Sequence, residues 1–377
     1  MGLSIWEKET FYAPQDIIIA GSGFTGLWAA YYLKKKNPAL KIMVVDRGIT
    51  PMGASTRNAG FACFGSVTEL ISDIRTMGQE NMLQLVEMRY EGLKRIRKTF
   101  SKNKIDWERN GGFELIGSNQ YSSAKLLKND IGLLNILLRK LIGEEKTFRL
   151  ADKKIKEFGF KNIDYLIYNP AEAQLQPAKL LQELLQKIIS MGVTVMHNVS
   201  VTGFEKTQGR VELHSNLPAN LYADQFLVAT NAFAKQLLPT LDIDYARGQV
   251  LVTAPVKKIS FKGTFHFDEG YYYFRNLGNR ILLGGARNKS FEAENTDSFD
   301  TTEIIQQELE RFLHETIMPG KQIAIEHRWS GIMGMGKEKT PIIKKIKNNI
   351  FCAVRMSGMG VALAPVVGEK IAKMMRE

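Results

Sequence analysis

Three glycines near the start of the chain have the spacing of a phosphate-binding turn. Gly21, Gly23 and Gly26 form the pattern G-x-G-x-x-G, in which glycine permits a tight turn, lets the backbone approach a pyrophosphate, and allows a helix to touch a strand. Asp46 lies twenty residues after Gly26, where a carboxylate can accept hydrogen bonds from ribose hydroxyls. This pattern indicates an adenine dinucleotide site, for NAD or FAD. A turn in an α/β core with no ligand is the alternative.

The elements around these glycines fit a βαβ unit that would position them. The run "IIIA" at 17–20 has the composition of a parallel strand buried on both faces. The following segment, "LWAAYYLKKKNP", predicts a helix with small Ala29 and Ala30 for close packing on a sheet, ended by Pro38. "KIMVVDR" supplies the second buried strand. The helix N-terminus would then offer amide donors and a positive dipole to the phosphates.

Two other glycine-rich stretches are placed to contact the remainder of such a cofactor. The segment "GITPMGASTRNAGFACFG", residues 48–65, predicts a loop that is unusually long for a plain NAD domain. Residues 350–375 predict a strand, a glycine turn and a helix that begins near Val361. The positive end of this helix could face negative charge that develops on a flavin ring. A structural helix that uses glycine only for packing is the alternative.

The segment "GYYYFRNLGNRILLGGARN" predicts a β-hairpin with its bend at "NLGN". Tyr271, Tyr273 and Arg275 would share one face of its first strand, and Tyr272 and Phe274 the other. If the first face points to a flavin, its aromatic rings would enclose an amine and attract a distal ammonium. Aromatic residues that only stabilise an exposed hairpin remain an equally open interpretation.

Composition excludes several classes of protein. Lys and Arg exceed Asp and Glu by 51 to 39, which favours anionic partners, but the basic clusters lack interleaved aromatic residues and predict no nucleic-acid binding. Cys63 and Cys352 are far apart, and the five histidines show no ligand spacing, so we expect neither a disulfide framework nor a metal site. The N-terminus lacks a signal-peptide pattern and no apolar run has the length of a membrane span. We therefore expect a cytoplasmic protein without a transmembrane segment, and the sequence leaves its oligomeric state undetermined.

Seven short motifs, spread over nearly the whole chain, occur together in one known family. They are "GSGFTG", "GASTRNAGF", "ATNAF" at 229–233, "RGQVLVT" at 247–253, "YYFRNLGNRILLGG" at 272–285, "RWSGIMGMG" at 328–336 and "SGMGVALAP" at 357–365. By these motifs the chain resembles the D-amino-acid oxidase superfamily of FAD-dependent oxidoreductases. Within that superfamily it is most similar to the gamma-glutamylputrescine oxidase and glycine oxidase type.

The resemblance implies FAD as cofactor, with its adenosine on the first βαβ unit and its ring between two domains. It also implies noncovalent binding, because "GMGKEKTP" has no cysteine where sarcosine-oxidase relatives tether the flavin. Cys63 lies in the flavin loop, but a buried structural role is more common for such a residue. The implied cofactor-binding residues are Gly21, Gly23, Phe24, Thr25, Gly26, Asp46, Arg47, Ala54, Ser55, Thr56, Arg57, Asn58, Val201, Thr230, Asn231, Gly331, Gly358, Met359, Gly360 and Val361.

The predicted fold is α/β, with an α+β substrate part. A Rossmann-like FAD-binding domain with a central parallel sheet would comprise residues 1–85, 169–245 and 327–377. An interleaved substrate-binding domain, residues 86–168 and 246–326, would contain helices and a mixed, largely antiparallel sheet.

Two positions depart from the pattern of the family. Relatives such as glycine oxidase hold the substrate carboxylate with one arginine shortly after a W-x-G turn and another just before the last glycine-led helix. Here those positions are Met333 and Gly358, so a bidentate clamp is missing at both. Arg57, Arg275 and Arg287 are possible substitutes, and each is also interpretable as a surface or phosphate-contacting residue. The predicted catalytic residues are Arg57, Tyr273 and Arg275.

Our leading hypothesis is an enzyme that oxidises the C–N bond of an amine or amino-acid-like substrate. Hydride would pass to flavin N5 and leave an imine, and oxygen or another acceptor would reoxidise the flavin. The first alternative is an FAD-dependent dehydrogenase of a 2-hydroxy acid or glycerol phosphate, which would benefit from a histidine base; His266 and His327 are the candidates. The second alternative is a nucleotide-binding protein without redox activity.

Overall fold

The computed structural model describes residues 2–118, 120–207 and 209–375. Within these ranges the strands are β1 (Gln15–Ala20), β2 (Ile42–Val45), β3 (Phe61–Ala62), β4 (Gly112–Ile116), β5 (Arg149–Leu150), β6 (Tyr165–Asn169), β7 (Ala173–Gln174), β8 (Thr194–Met196), β9 (Val201–Thr207), β10 (Arg210–Ser215), β11 (Leu221–Val228), β12 (Asp244–Thr253), β13 (Thr264–Phe267), β14 (Tyr272–Leu277), β15 (Arg280–Gly285), β16 (Ile325–Met335), β17 (Ile342–Lys347) and β18 (Ile350–Val354).

The helices surround two large sheets. The α-helices are α1 (Ile5–Glu9), α2 (Phe24–Lys36), α3 (Ala54–Arg57), α4 (Val67–Met77), α5 (Gln79–Thr99), α6 (Ala124–Ile142), α7 (Lys153–Phe158), α8 (Pro177–Ser190), α9 (Ala234–Leu237), α10 (Glu303–Phe312) and α11 (Gly360–Met374). No helix of the described ranges combines the length and the apolar character that crossing a membrane requires.

The first sheet has a parallel centre. Strands β8, β2, β1, β11 and β18 lie side by side in the same direction, and β17 is antiparallel at the β18 edge. Ile17 and Ile19 of β1 pack against helix α2, whereas Ile18 packs on the opposite face with residues of β10 and β11. Because successive side chains of a strand point to opposite faces, a continuous apolar run is buried on both. The predicted central parallel sheet is confirmed.

Helices α2 and α11 pack closely on one face of this sheet. A β-carbon built on Gly368 of α11 would lie 2.6 Å from the β-carbon of Trp28 in α2. Glycine therefore lets the two helices approach. On the opposite face, β9 and β10 extend antiparallel from β11.

The second sheet has the order β16, β12, β15, β14, β13, β4, β6, β5. All its neighbouring strands are antiparallel except β4 and β13, which confirms a mixed, largely antiparallel sheet. Its core is aromatic: the ring of Phe265 stacks on Phe274 at 4.6 Å and on Phe113 at 5.1 Å between centroids. Helix α10 covers this core. The predicted hairpin forms β14 and β15, with Leu277 opposite Arg280 at its bend.

Several element boundaries differ from the sequence-based expectation. The predicted loop 48–65 contains the short helix α3 and strand β3, and β3 pairs with β7. Helix α2 ends at Lys36, before Pro38, because proline disfavours the α conformation in the residue that precedes it. Helix α11 begins at Gly360. The division into domains stays a prediction, and β16 crosses its boundary at residue 327 to pair with β12 along the second sheet.

Candidate functional site

A cavity of about 840 Å³ lies between the two sheets. Its floor is formed where β1, β2, β11 and β18 end, because the carboxyl ends of parallel strands meet at one edge of a sheet. Its opposite wall comes from β12, β13 and β14 of the second sheet. The predicted residues that line it are Gly21, Gly23, Phe24, Thr25, Asp46, Arg47, Ala54, Ser55, Arg57, Asn58, Val201, Thr230, Asn231, Tyr273, Gly331, Gly358, Met359, Gly360 and Val361.

The glycine turn has the close contacts that its sequence predicts. Gly21 has a φ of 109°, and a β-carbon built on it would lie 2.6 Å from the carbonyl oxygen of Ala229. Gly23 caps the N-terminus of α2 and opens to the cavity. Gly26 does not line the cavity, because it packs against the Gly21 carbonyl. The turn therefore presents the free amides of a helix N-terminus to the cavity.

The carboxylate of Asp46 is held at the end of β2. Its Oδ2 accepts hydrogen bonds from the backbone amide and the hydroxyl of Ser22, each at 2.8 Å, and its Oδ1 accepts from the Gly48 amide at 2.9 Å. The carboxylate thus ties the glycine turn to the following loop while it lines the cavity.

Helix α3 is anchored across the cavity to β16. The guanidinium of Arg57 donates from Nη1 to the carbonyl oxygen of Ser330 at 2.8 Å, and Trp329 Nε1 donates to the carbonyl oxygen of Arg57 at 3.0 Å. Gly331 allows this approach, since a β-carbon there would lie 3.0 Å from that of Arg57. Thr56 points away and donates to the Pro51 carbonyl, so it does not line the cavity.

Two buried hydroxyl groups at the strand ends lack a partner within the described ranges. They are Oγ1 of Thr230, after β11, and Oγ of Ser357, after β18. Buried polar groups are nearly always hydrogen-bonded. The two hydroxyl groups are therefore free to bind a ligand. Together with the amides of α2 and the fixed carboxylate of Asp46, they fit the phosphates, the ribose and the ring heteroatoms of FAD. The hydroxyl of Ser55 already accepts from the Phe24 amide at 3.0 Å.

The two positions where relatives carry a carboxylate-binding arginine lie together. A β-carbon on Gly358 would be 3.6 Å from the sulfur of Met333, and both residues line the cavity. Ser357 and Gly358 have positive φ angles of 47° and 80°, which turn the chain into the start of α11. Neither Met333 nor Gly358 supplies a guanidinium to the cavity.

Tyr273 and His266 form the wall that the second sheet contributes. They are paired across β13 and β14, and the ring of Phe61 packs edge-on against both, at 5.9 Å and 5.3 Å between centroids. Burial raises the pKa of Tyr273 to about 12, so its phenol stays protonated at neutral pH.

His266 belongs to a buried cluster that sequence reasoning did not find. Its Nε2 lies 3.0 Å from Oε2 of Glu172, which also accepts from the hydroxyl of Thr264 at 3.0 Å. Burial acts to lower the pKa of His266, but the charges of Glu172, Glu114 and Glu69 outweigh it and raise that pKa. His327, the other candidate base, is exposed on β16 and does not line the cavity.

Helix α4 contributes a second group of charges that the sequence did not indicate. Asp73 is 1% exposed and lies 2.5 Å from Nζ of Lys339, while Glu69 pairs with the buried guanidinium of Arg89 at 3.0 Å. Burial and the charge of Glu69 raise the pKa of Asp73. Burial would also raise the pKa of Glu69, but Arg89 and Lys339 lower it more strongly. Lys339 lies more than 250 positions after Glu69 and Asp73, so no local spacing could have indicated its contacts with them.

Arg275 does not line the cavity. It is 4% exposed and lies beside Gly60, with no hydrogen-bond partner for its Nε within the described ranges. Burial lowers its pKa to about 10. Cys63 lines the cavity, and burial, with the charges of Glu172 and Glu69, raises its thiol pKa well above the usual range.

One group of side chains with metal-ligating atoms is found outside the cavity, in the part of the chain that the structure describes. Glu205, Glu212 and His214 bring one ligand atom each within 4.8 Å of one another on β9 and β10. Glu212 already accepts from Asn220 and Tyr222. The arrangement is satisfied by the protein itself.

Comparison with known proteins identifies similar chains. A family model described as FAD dependent oxidoreductase matches residues 16–374. A probable oxidoreductase, OrdL, of Haemophilus influenzae is 23% identical over 377 residues, covering 95% of this chain and 82% of its own. Gamma-glutamylputrescine oxidoreductase of Escherichia coli is 22% identical over 388 residues, covering 96% and 83%.

Solved structures have the same fold. L-proline dehydrogenase of P. horikoshii superposes with a TM-score of 0.77 at 18% identity, covering 96% of this chain and 93% of its own. Glycine oxidase of Geobacillus kaustophilus also has a TM-score of 0.77 at 18% identity, covering 96% and 95%. The predicted fold class, a Rossmann-like FAD domain with an added substrate part, is confirmed.

Proposed function

Because the chain belongs to the family of FAD-dependent oxidoreductases, we propose that it oxidises the C–N bond of an amine or amino-acid-like substrate to an imine. The observation that carries this proposal is the single cavity that joins the glycine turn at the ends of the parallel strands to the aromatic wall of the second sheet. The imine then reacts with water to give a carbonyl compound and ammonia or an amine. Oxygen or another acceptor takes up the two electrons.

The residues that would hold FAD form two groups, in two parts of the cavity. The N-terminus of α2 and Asp46 would bind the pyrophosphate and ribose, and Val201 would lie by the adenine. Residues 54–58 and 357–361, which line the other part of the cavity, would flank the ring. When bound, FAD supplies the hydride acceptor of the reaction. Helix α3 and the start of α11 present backbone groups and small side chains to the cavity, which would let a flat ring lie close to the chain.

The chain's own side chains would orient the substrate. The rings of Tyr273 and Phe61 offer an apolar wall that excludes water and holds the reacting carbon. At neutral pH the phenol of Tyr273 is a hydrogen-bond donor, not a base, because its pKa is about 12. Among the relatives, gamma-glutamylputrescine oxidoreductase and glycine oxidase have names that denote amine or amino-acid substrates, which supports the choice of a C–N bond.

Two measurements test the proposal. The absorption spectrum of the purified protein should show the visible bands of a bound flavin; their absence after reconstitution with FAD would favour a nucleotide-binding protein without redox activity. Amines, amino acids, 2-hydroxy acids and glycerol phosphate should then be mixed with the holoenzyme without oxygen. We expect amines or amino acids to bleach the flavin bands and to yield a carbonyl product. Bleaching by hydroxy acids alone would overturn the proposal.

Oxidation of a 2-hydroxy acid is a second candidate, supported by the contact between His266 and Glu172 at the cavity wall. A histidine oriented by a carboxylate is a suitable base for a hydroxyl group. We rank it second because the raised pKa of His266 leaves less neutral imidazole at neutral pH. If no hydroxy acid bleaches the flavin, this candidate is dismissed; if hydroxy acids are turned over and His266→Asn leaves that turnover unchanged, His266 is not the base.

A further inference from the structure

Four side chains that line the cavity are stacked in a column. The guanidinium carbon of Arg47 lies 3.7 Å from the centre of the Phe233 ring. The rings of Phe233 and Phe299 stack at 6.5 Å between centroids, with their planes 14° apart. The guanidinium carbon of Arg57 lies 4.8 Å from the centre of the Phe299 ring. The column therefore consists of one aromatic pair and a cation–π contact at each end.

The column joins the two parts of the molecule that enclose the cavity. Arg47 follows β2 and Phe233 follows β11, both strands of the first sheet, and Arg57 is the last residue of α3. Phe299 lies instead in the connection between β15 of the second sheet and α10. Its ring is thus the one member of the column that the second part of the molecule supplies.

The segment that carries this ring is anchored at both of its ends. Glu294 is fully buried, and its carboxylate accepts two hydrogen bonds from the guanidinium of Arg247, at 2.8 and 2.9 Å. The amide of Thr302 donates to Oε1 of Gln249 at 3.0 Å. Residues 295–301, which lie between these anchors, form neither helix nor strand. We call residues 295–301 the strap.

Between its anchors the strap has few polar contacts with the rest of the protein. The hydroxyl of Ser330 on β16 donates to the carbonyl oxygen of Phe299 at 2.6 Å. Among the described residues, this is the one hydrogen bond from the strap to a residue outside the connection between β15 and α10. The stacked ring is the strap's contribution to the column. Because few interactions must break, the strap can move away while its ends stay in place.

The two ends of the column lie beside the residues that fit a dinucleotide. Arg47 follows Asp46, whose carboxylate is held at the edge of the cavity. Arg57 shares helix α3 with Ser55, whose hydroxyl accepts from the first amide of α2. The column therefore runs beside the site for the ribose and the pyrophosphate, and the strap closes the cavity along that length.

We propose that the strap is the gate through which FAD enters and leaves the protein, and that the stacked ring of Phe299 keeps this gate closed. Opening would separate Phe299 from Phe233 and from Arg57, which stay with the first sheet and α3. Phe299 then sets the rate of cofactor exchange, whereas the residues of the first sheet set the affinity. The inference goes beyond the proposed function, because it concerns the exchange of FAD and not the oxidation of a substrate.

FAD exchange can be measured without any substrate. Binding is followed by the change in flavin fluorescence when FAD is mixed with the apoprotein. Release is followed by displacement of bound FAD with an excess of 5-deaza-FAD, whose visible absorption differs. Equilibrium dialysis gives the dissociation constant independently, and thermal melting shows whether each variant is folded.

Four variants separate the strap from the rest of its connection. Phe299→Ala removes the ring from the column, and Phe299→Tyr keeps it. Ser330→Ala removes only the hydrogen bond to the strap backbone, so it tests the gate even if Phe299→Ala does not fold. Phe291→Ala is the matched control, because its ring belongs to the same connection, is 44% exposed and does not line the cavity.

We expect Phe299→Ala to accelerate both binding and release of FAD by about tenfold, because an aromatic contact and a cation–π contact that keep the strap closed are lost. The dissociation constant should change by less than about twofold, since opening precedes both processes. Ser330→Ala should accelerate both rates by about fivefold. Phe299→Tyr and Phe291→Ala should exchange FAD at the rates of the unmodified protein.

Three results would overturn the gate. In the first, neither Phe299→Ala nor Ser330→Ala changes the two rates. In the second, release accelerates while binding does not, so that the dissociation constant rises and Phe299 holds FAD by direct contact. In the third, Phe291→Ala accelerates exchange as much as Phe299→Ala. If both rates rise as expected but no amine bleaches the flavin, the gate stands and amine oxidation fails.

Discussion

A β-carbon placed on Gly26 would lie 2.0 Å from the carbonyl oxygen of Gly21. The first turn of α2 is therefore in contact with the end of β1, and no larger residue fits without moving one of them. This contact brings the N-terminus of α2 and its free amides to the edge of the cavity. The same geometry supports both the packing of the βαβ unit and the approach of a pyrophosphate.

Gly26→Ala should destabilise the protein and reduce its flavin content. The added methyl group must displace backbone, which costs roughly 1–3 kcal/mol. Gly132→Ala is the matched control: Gly132 lies inside helix α6 with nothing within 4 Å of the added carbon, and alanine should stabilise the helix there by about 0.5–1 kcal/mol. Urea unfolding and the absorbance of bound flavin give the two values. Equal stability of both variants would contradict the packing argument.

Trp329→Phe should weaken FAD binding without unfolding the chain. The indole nitrogen of Trp329 donates to the Arg57 carbonyl, so its loss removes one of two hydrogen bonds between α3 and β16 and costs about 1 kcal/mol, or about fivefold in the dissociation constant. Titration of the apoprotein with FAD, followed by flavin fluorescence, measures this. Trp6→Phe, at a site that is 74% exposed, is the control. A dissociation constant unchanged in Trp329→Phe would show that α3 is held by its other contacts alone.

Glu172→Gln should lower stability most strongly at low pH. Because the folded state raises the pKa of His266, the stabilisation from protonated His266 is fully present below its unfolded pKa of about 6.5 and is lost as the pH rises through the raised value. Removing the charge of Glu172 from this buried pair should cost roughly 3 kcal/mol at low pH, and less as the pH increases.

Urea unfolding at several pH values measures this dependence on pH. Glu145→Gln, which breaks the exposed pair with Arg139, is the control and should cost less than about 1 kcal/mol at every pH. A constant or growing cost of Glu172→Gln with rising pH would mean that His266 is neutral in the folded protein.

Acid precipitation should release all of the flavin into the supernatant. Cys63 lines the cavity, but burial raises the pKa of its thiol, so little thiolate forms to attack a flavin. Cys352 is buried in β18, and its pKa is raised to about 12. Yellow colour that stays with the precipitate, and that Cys63→Ser releases, would show a covalent bond to Cys63.

The local patterns of the sequence predicted those parts of the fold that are formed by contacts between residues close in sequence. The run at 17–20, the glycines that follow it and Asp46 indicated the βαβ unit, since its contacts join residues close in sequence. The alternation in residues 271–275 likewise predicted which tyrosines share a face, and Tyr273 lines the cavity. Arg275 is two residues further along the same face, but it lies beside Gly60 and outside the cavity. The alternation of a strand predicts the face on which a side chain lies, but not whether that side chain reaches the cavity.

The sequence by itself determined the family motifs, the glycine turn and the central parallel sheet, because these depend on residue type and short spacing. Only the tertiary structure decided which charges meet: His266 with Glu172, Asp73 with Lys339, and Arg287 with no partner among the described residues. Such pairs form between segments that chain folding brings together over roughly 100 to 270 positions. Their energies depend on burial and distance, which are properties of the packed molecule and not of any stretch of its sequence.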